Sequence, residues 1–238
     1  MMDSEDKYNT LQSILNCFAL QRIDKLNWRA EPPHFGGAVL KSRLFGGQIA
    51  AQIYAVSKQL SVHTTILNLD VSFIAPGNTL EPVLYRADTK SEKIFLVDAV
   101  QSQRLIARGV VRVDILFYLQ CGYYCGFLHS TVWSTDECFS VAKWERNGNE
   151  ETRIFSSIIH PTKIVCDRLN AQSEILSAAS LRHQIRFESD EKINPLEYFL
   201  MESENEVISH NCALVKGRIF DDKGQLLLTF TQQSFISG

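Results

Sequence analysis

The feature that most constrains this chain is a change of hydrophobic period near residue 62. Over residues 48–60 the apolar positions Ile49, Ile53, Val56 and Leu60 recur at helical spacing and share one helix face. Ala50, Ala51 and Ala55 keep much of the remainder small, so a sheet can approach closely and the helix is expected to be buried. Past it the period falls to two. Residues 64–75, 82–89, 94–102 and 105–114 read as strands separated by short polar turns of the hairpin kind. In the last of them Leu105, Ala107, Gly109, Val111 and Val113 face one way, and Arg108, Arg112 and Asp114 the other. This alternation predicts an antiparallel meander with one wet face, whose dry face a helix covers economically.

The second half repeats the pattern. Residues 139–144 predict a strand and 150–161 a helix, followed by strands at 178–188, 196–204, 208–220 and 225–236. Asp221-Asp222-Lys223-Gly224 supplies turn chemistry between the last two. The expectation is an α+β protein made of two β-α-β4 units, at residues 30–114 and 139–238. A stripe of Leu11, Ile14, Leu15, Phe18 and Ala19 predicts a helix over 8–23 within a lead-in at 1–29, and 115–138 reads as an irregular connection.

Composition excludes several functions. The 238 residues include 24 basic and 27 acidic side chains, a formal charge of -3, so no cationic excess is available to neutralise a run of phosphates. Nucleic acid is therefore not an expected partner. Residues 115–135 hold no Asp, Glu, Lys or Arg, a length that suits a bilayer span. Gln120, His129, Ser134 and others dilute the segment and no basic flank anchors it, which argues against membrane insertion. Scattered cysteines and a charged Met-Met-Asp-Ser-Glu-Asp-Lys start lead us to expect reduced thiols in an intracellular protein. Cys121 and Cys125 have no second pair or histidine at finger spacing, so no metal is expected. Motifs for a serine-hydrolase elbow, a dinucleotide, a nucleotide loop and a zinc protease are all missing from the sequence, and no cofactor is expected.

The most informative stretch is Leu44-Phe45-Gly46-Gly47-Gln48-Ile49-Ala50-Ala51-Gln52. Paired glycines let the backbone come close to a ligand. They also open a helix whose unsatisfied N–H groups and positive dipole end can polarise a carbonyl or stabilise an oxyanion. Two further blocks accompany it: Val71-Ser72-Phe73-Ile74-Ala75-Pro76-Gly77-Asn78-Thr79, and a tail with Gly217-Arg218-Ile219-Phe220, Asp222-Lys223-Gly224-Gln225 and Thr231-Gln232-Gln233. Together these resemble the acyl-CoA thioesterase II family, the double-hotdog thioesterases of bacteria and peroxisomes. The resemblance covers residues 30–114 and 176–236 and is weak between them, where this chain is the shorter. It implies a double hotdog, two antiparallel sheets each wrapped around a central helix, and hydrolysis of fatty acyl-CoA to free fatty acid and CoA.

In that family a water is held by an Asp, a Thr or Ser, and a Gln of the second half, while a helix end and backbone amides polarise the thioester. By the resemblance the Gln falls on Gln232, which strand alternation places on the buried face with Leu226, Leu228 and Phe230. The Asp position carries Arg182, within Ala179-Ser180-Leu181-Arg182-His183, and a guanidinium accepts neither a proton nor a hydrogen bond. The hydroxyl position falls near Glu206, with Ser203 and Ser209 as neighbours. Glu206 and Asp70, the latter where the family commonly shows His, are the substitute general bases. The catalytic candidates are thus Gln232 and Glu206, and the substrate-binding candidates Gly46, Gly47, Gln48 and Asp70. His183 keeps a family histidine; Lys192, Lys216, Arg182 and Arg186 are candidates for CoA phosphates. Acyl-CoA is the expected partner, and a homo-oligomer is also envisaged. Loss of two of three polar groups keeps a second expectation open, a non-catalytic acyl-CoA-binding or structural subunit. The ending Ser234-Phe235-Ile236-Ser237-Gly238 is unlike a Ser-Lys-Leu address, which puts the cytoplasm first and the peroxisome second.

Overall fold

The computed structural model describes residues 19–37, 40–60, 64–115, 139–146, 149–156, 177–189 and 199–237. In chain order these form β1 (Gln21–Arg22), β2 (Asn27–Ala30), α1 (Gly46–Leu60), β3 (Thr64–Phe73), β4 (Val83–Ser91), β5 (Ile94–Gln101) and β6 (Arg104–Ile115). Then come β7 (Phe139–Arg146), β8 (Asn149–Ser156), β9 (Ser177–Phe187), β10 (Leu200–Ser209), β11 (Cys212–Phe220) and β12 (Leu226–Ser237). Ten strands make one antiparallel sheet in the order β1-β2-β4-β5-β6-β3-β9-β12-β11-β10, and β7 with β8 forms a separate hairpin.

The two halves share this sheet, where two sheets were expected. The join is β3 against β9, with Leu69 opposite Ile185 and Val71 opposite His183. Each of these strands would otherwise expose an unpaired edge, and pairing satisfies both at once. From the join outward the order is β3-β6-β5-β4 on one side and β9-β12-β11-β10 on the other, so one four-strand meander occurs twice.

Helix α1 lies on the first meander as its sequence requires, burying Ile49, Ile53 and Val56 along with Gly47, Ala50 and Ala51. The approach is close. A Cβ on Gly109 of β6 would stand 2.6 Å from Ile53 Cγ2, so glycine at that point lets helix and sheet meet. Around the contact Trp28, Leu69, Val71, Val83, Tyr85, Val97 and Ile106 are essentially inaccessible, each such side chain stabilising the fold by about 1.5–3 kcal/mol. Polar atoms taken into this core are paired: Tyr85 donates its hydroxyl to Gln52 Oε1 at 2.5 Å, and Trp28 Nε1 donates to Gln59 Oε1 at 2.7 Å.

Three tight turns set the registers. Ser102 and Gln103 between β5 and β6 have φ of 46° and 63°, and His210 and Asn211 between β10 and β11 have 50° and 63°, the left-handed pairs that two-residue hairpins demand. Between β11 and β12, Asp221 Oδ1 accepts from the backbone of Lys223 and Gln225, and Gly224 takes a φ of 84°.

Two expectations change. Residues 149–156, read as the start of a helix over 150–161, form β8 against β7. Arg146 pairs with Asn149, and the sequence between them is Asn147-Gly148, the dipeptide most suited to a two-residue hairpin loop. The helix expected over 8–23 falls mostly outside the described residues, and its last part, Gln21–Arg22, is a strand paired with β2. The helix among the described residues is α1. The uncharged stretch after Ile115 lies outside the described residues. Among those described, no helix is long and apolar enough to cross a membrane.

Candidate functional site

The entry to α1 is braced from beneath by Gln48. Its side chain is wholly inaccessible; Oε1 accepts the Phe35 N–H at 2.7 Å and Nε2 donates to His34 Nδ1 at 3.0 Å. His34 Nε2 in turn donates to the Glu81 carbonyl at 3.1 Å, which fixes the ring's tautomer, and burial lowers its pKa. Gln48 was a substrate-binding candidate; its side chain instead secures the loop that aims the helix. Gly46 and Gly47 form the first turn, where no acidic residue offsets the positive end of the helix.

What faces Gly46 comes from both halves. A Cβ placed there would lie 3.0 Å from Phe73 Cζ at the end of β3 and 3.1 Å from Ser180 Oγ on β9. Ser180 reaches this face through a β-bulge: Gln233 pairs with Arg182 and Ser234 with Ser180, leaving Leu181 without an opposite number. As a result Ser180 and His183, three residues apart, point to the same side. Ser180 Oγ is 3.0 Å from His183 Nε2, and Gln232 Nε2 donates to Ser180 Oγ at 3.4 Å and to Ser234 Oγ at 3.3 Å. Phe73 meets the His183 ring edge-on with centroids 4.9 Å apart. Burial pushes His183 down to about 3, so its imidazole is neutral at ordinary pH. Gln232 is 7 % exposed, and with its amide nitrogen committed to two hydroxyls its oxygen remains as the acceptor.

Asp70 and Glu206 belong to the other face of the sheet. Arg182 donates to Asp70 from Nε at 2.8 Å and from Nη2 at 2.5 Å, and Gln184 Nε2 adds a third bond at 3.1 Å. The guanidinium beside it holds the Asp70 carboxyl below its usual range. Glu206 is exposed and accepts from Lys216 Nζ at 2.5 Å, while Val215, the next residue, is opposite Gln232 and buried. Glu206 sits at a register shift between Asn205 and Val207. The sheet therefore stands between Glu206 and Gln232, and a water at Gln232 has no direct path to that carboxylate. A cavity of about 890 Å³ on this outer face is lined by Asp70, Arg112, Arg186, Glu202 and Lys216, distinct from the cluster at Gly46. Ser203 faces inward from β10, with β11 between it and Gln232; Ser209 is exposed beside His210; Lys192 lies outside the described residues. Ser180 is the member that sequence reasoning passed over. Counting by twos from His183 puts it on the wrong face, and only the bulge reverses this.

An antiparallel sheet carrying a buried helix, a meander present twice and a polar cluster at the helix start define a hotdog-type protein. Solved structures agree over nearly the whole chain. The tesB protein of Mycobacterium avium subsp. paratuberculosis superposes with a TM-score of 0.71 at 14% identity, covering 96% of this chain and 100% of that one. The acyl-CoA thioesterase II TesB2 of Mycobacterium marinum gives 0.62 at 15%, covering 94% and 98%. A hot dog fold protein of Alicyclobacillus acidocaldarius gives 0.63 at 14%, covering 95% and 98%. In sequence, acyl-CoA thioesterase 2 of Haemophilus influenzae is 29% identical over 101 residues, 40% of this chain and 34% of that protein. The match thus spans about a third of that relative's length. No family model matches. In fold, and in this stretch of sequence, the chain resembles the acyl-CoA thioesterase II family as a divergent relative.

Proposed function

We propose that this chain is an acyl-CoA thioesterase-like protein that hydrolyses fatty acyl-CoA to free fatty acid and CoA between the start of α1 and Gln232. The observation that carries the reading is the contact of Gly46 with Ser180, which sets the amide end of a helix from one half against buried polar side chains of the other. A thioester carbonyl at Gly46 and Gly47 receives backbone N–H groups and the helix dipole, and one such donor is worth roughly 2.7–4 kcal/mol as negative charge develops on oxygen. Gln232 holds water through its amide oxygen. The same reading includes a double hotdog with a central helix for each half, and a cytoplasmic setting, with the peroxisome second.

A binding-only role is the second reading. It is favoured by the fate of Arg182, which is tied to Asp70 on the outer face, and by the partners of Ser180 and Gln232, which among the described residues include no carboxylate.

Release of free thiol from palmitoyl-CoA by the purified protein tests the proposal. Saturable release is expected. If none is released while palmitoyl-CoA raises the melting temperature, the binding-only reading replaces it.

A further inference from the structure

Ser180 is the hydroxyl that faces the helix start, and its hydrogen-bonding neighbours there are Gln232 and His183. Gln232 Nε2 carries only hydrogens and so donates to Ser180 Oγ. In the tautomer that carries its proton on Nδ1, His183 Nε2, 3.0 Å away, accepts the hydroxyl hydrogen. One lone pair of Ser180 remains. Together with the amide oxygen of Gln232 it offers two acceptors on neighbouring groups, which is what a water needs to place both its hydrogens and turn its own lone pair elsewhere.

We propose that Ser180 is a catalytic residue of this site, its hydroxyl holding the attacking water with Gln232 and relaying that water's proton to His183 Nε2. The proposal rests on the thioesterase reading above and deepens it. In the step, the water oxygen bonds to the thioester carbonyl carbon while a water proton moves to Ser180 Oγ and the Ser180 proton moves to His183 Nε2. The carbonyl π pair goes to the oxygen facing the Gly46 and Gly47 amides. Collapse returns the oxyanion pair to re-form the carbonyl and breaks the C–S bond; the CoA sulfur leaves with the C–S bonding pair and takes the proton back from His183 through Ser180. Fatty acid and CoA thiol result, with no other reactant consumed. His183 suits this role because, neutral and with a pKa of about 3, it is of a basicity close to that of an aspartate carboxylate, and a relay needs it to share the proton only in passing.

The test compares wild type, Ser180→Ala and Ser180→Thr in the full chain, measuring kcat and KM with palmitoyl-CoA, the melting-temperature shift produced by its non-hydrolysable thioether analogue, and the intact mass during turnover. Expected is a loss of about 100-fold or more in kcat for Ser180→Ala, with KM and the analogue's shift retained, most of kcat restored in Ser180→Thr, and no acyl adduct on any form. An active wild type beside an equally active Ser180→Ala overturns this inference alone, as does a Ser180→Thr no better than Ser180→Ala. An acyl group found covalently on Ser180 overturns it in favour of a nucleophilic serine. Loss of the analogue's shift with kcat kept at saturation makes Ser180 a binding residue instead. A wild type that releases no thiol overturns the thioesterase reading, and this inference falls with it.

Discussion

Arg182 grips Asp70 with two hydrogen bonds across the β3–β9 join, on the face of the sheet turned away from Gly46. The residue that stands where the resembled family has its carboxylate is thus used to tie the two halves together. Arg182 is 48% exposed and Asp70 28%, so water screens much of the attraction. A double-mutant cycle of Arg182→Ala and Asp70→Ala, read by urea unfolding, is expected to give a coupling of about 0.5–1 kcal/mol that shrinks in 1 M salt. Zero coupling at low salt contradicts the tie.

Buried neutral histidines make the fold sensitive to mild acid. In the unfolded chain His183 takes up a proton near pH 6.5, but in the fold only near about 3. As pH falls below 6.5 the unfolded state binds a proton that the native state refuses, so stability is lost progressively down to that lower value and is fully present above 6.5. His34, lowered by its burial, adds in the same direction. Asp70, held low by Arg182, contributes in the same sense only below its ordinary range near 3.8. For His183 the unfolding free energy is expected to drop by up to about 1.4 kcal/mol per pH unit between pH 6 and 4. His183→Gln removes one proton from that slope; an unchanged slope in the variant contradicts the assignment.

Where Ile53 meets Gly109 there is no room for a methyl group. Gly109→Ala is expected to cost about 1–3 kcal/mol by overpacking, and with Ile53→Ala, which removes both Cγ2 and Cδ1 from the contact, the double variant is expected to lose less than the sum of the two single variants. Urea denaturation of the two single variants and the double variant checks this. Strict additivity is the contrary result.

Gln103 pays for its left-handed φ of 63° without the side-chain chemistry that suits it. Gln103→Gly is expected to stabilise the chain by about 1 kcal/mol, read as a rise in melting temperature. A fall in melting temperature contradicts the turn.

Legibility from sequence followed the range over which each signal acts. The helix at 48–60 and the strands of the first meander emerge within a residue or two, because their periods are local and strong. The Asp221–Gly224 turn is likewise readable from four residues. Fusion of both halves into one sheet was not, since which edge pairs with which is decided by contacts such as Leu69 with Ile185, more than a hundred residues apart. Alternation also fails at the bulge in β9: Ser180 sits beside it and points opposite to a strict count by twos. Gln48 read as a ligand-facing residue because its partners, His34 and the Phe35 amide, precede the helix in an aperiodic loop.

The central claim is that a thioester oxygen is held at the first turn of α1 opposite Gln232. Gly46→Val brings side-chain carbons against Phe73 and Ser180 at that spot, and Gln232→Ala removes the amide on the other side. With both variants shown to unfold cooperatively near the wild-type temperature, thiol release from palmitoyl-CoA is predicted to fall by about 100-fold in each. Wild-type rates in both variants would place the chemistry somewhere else.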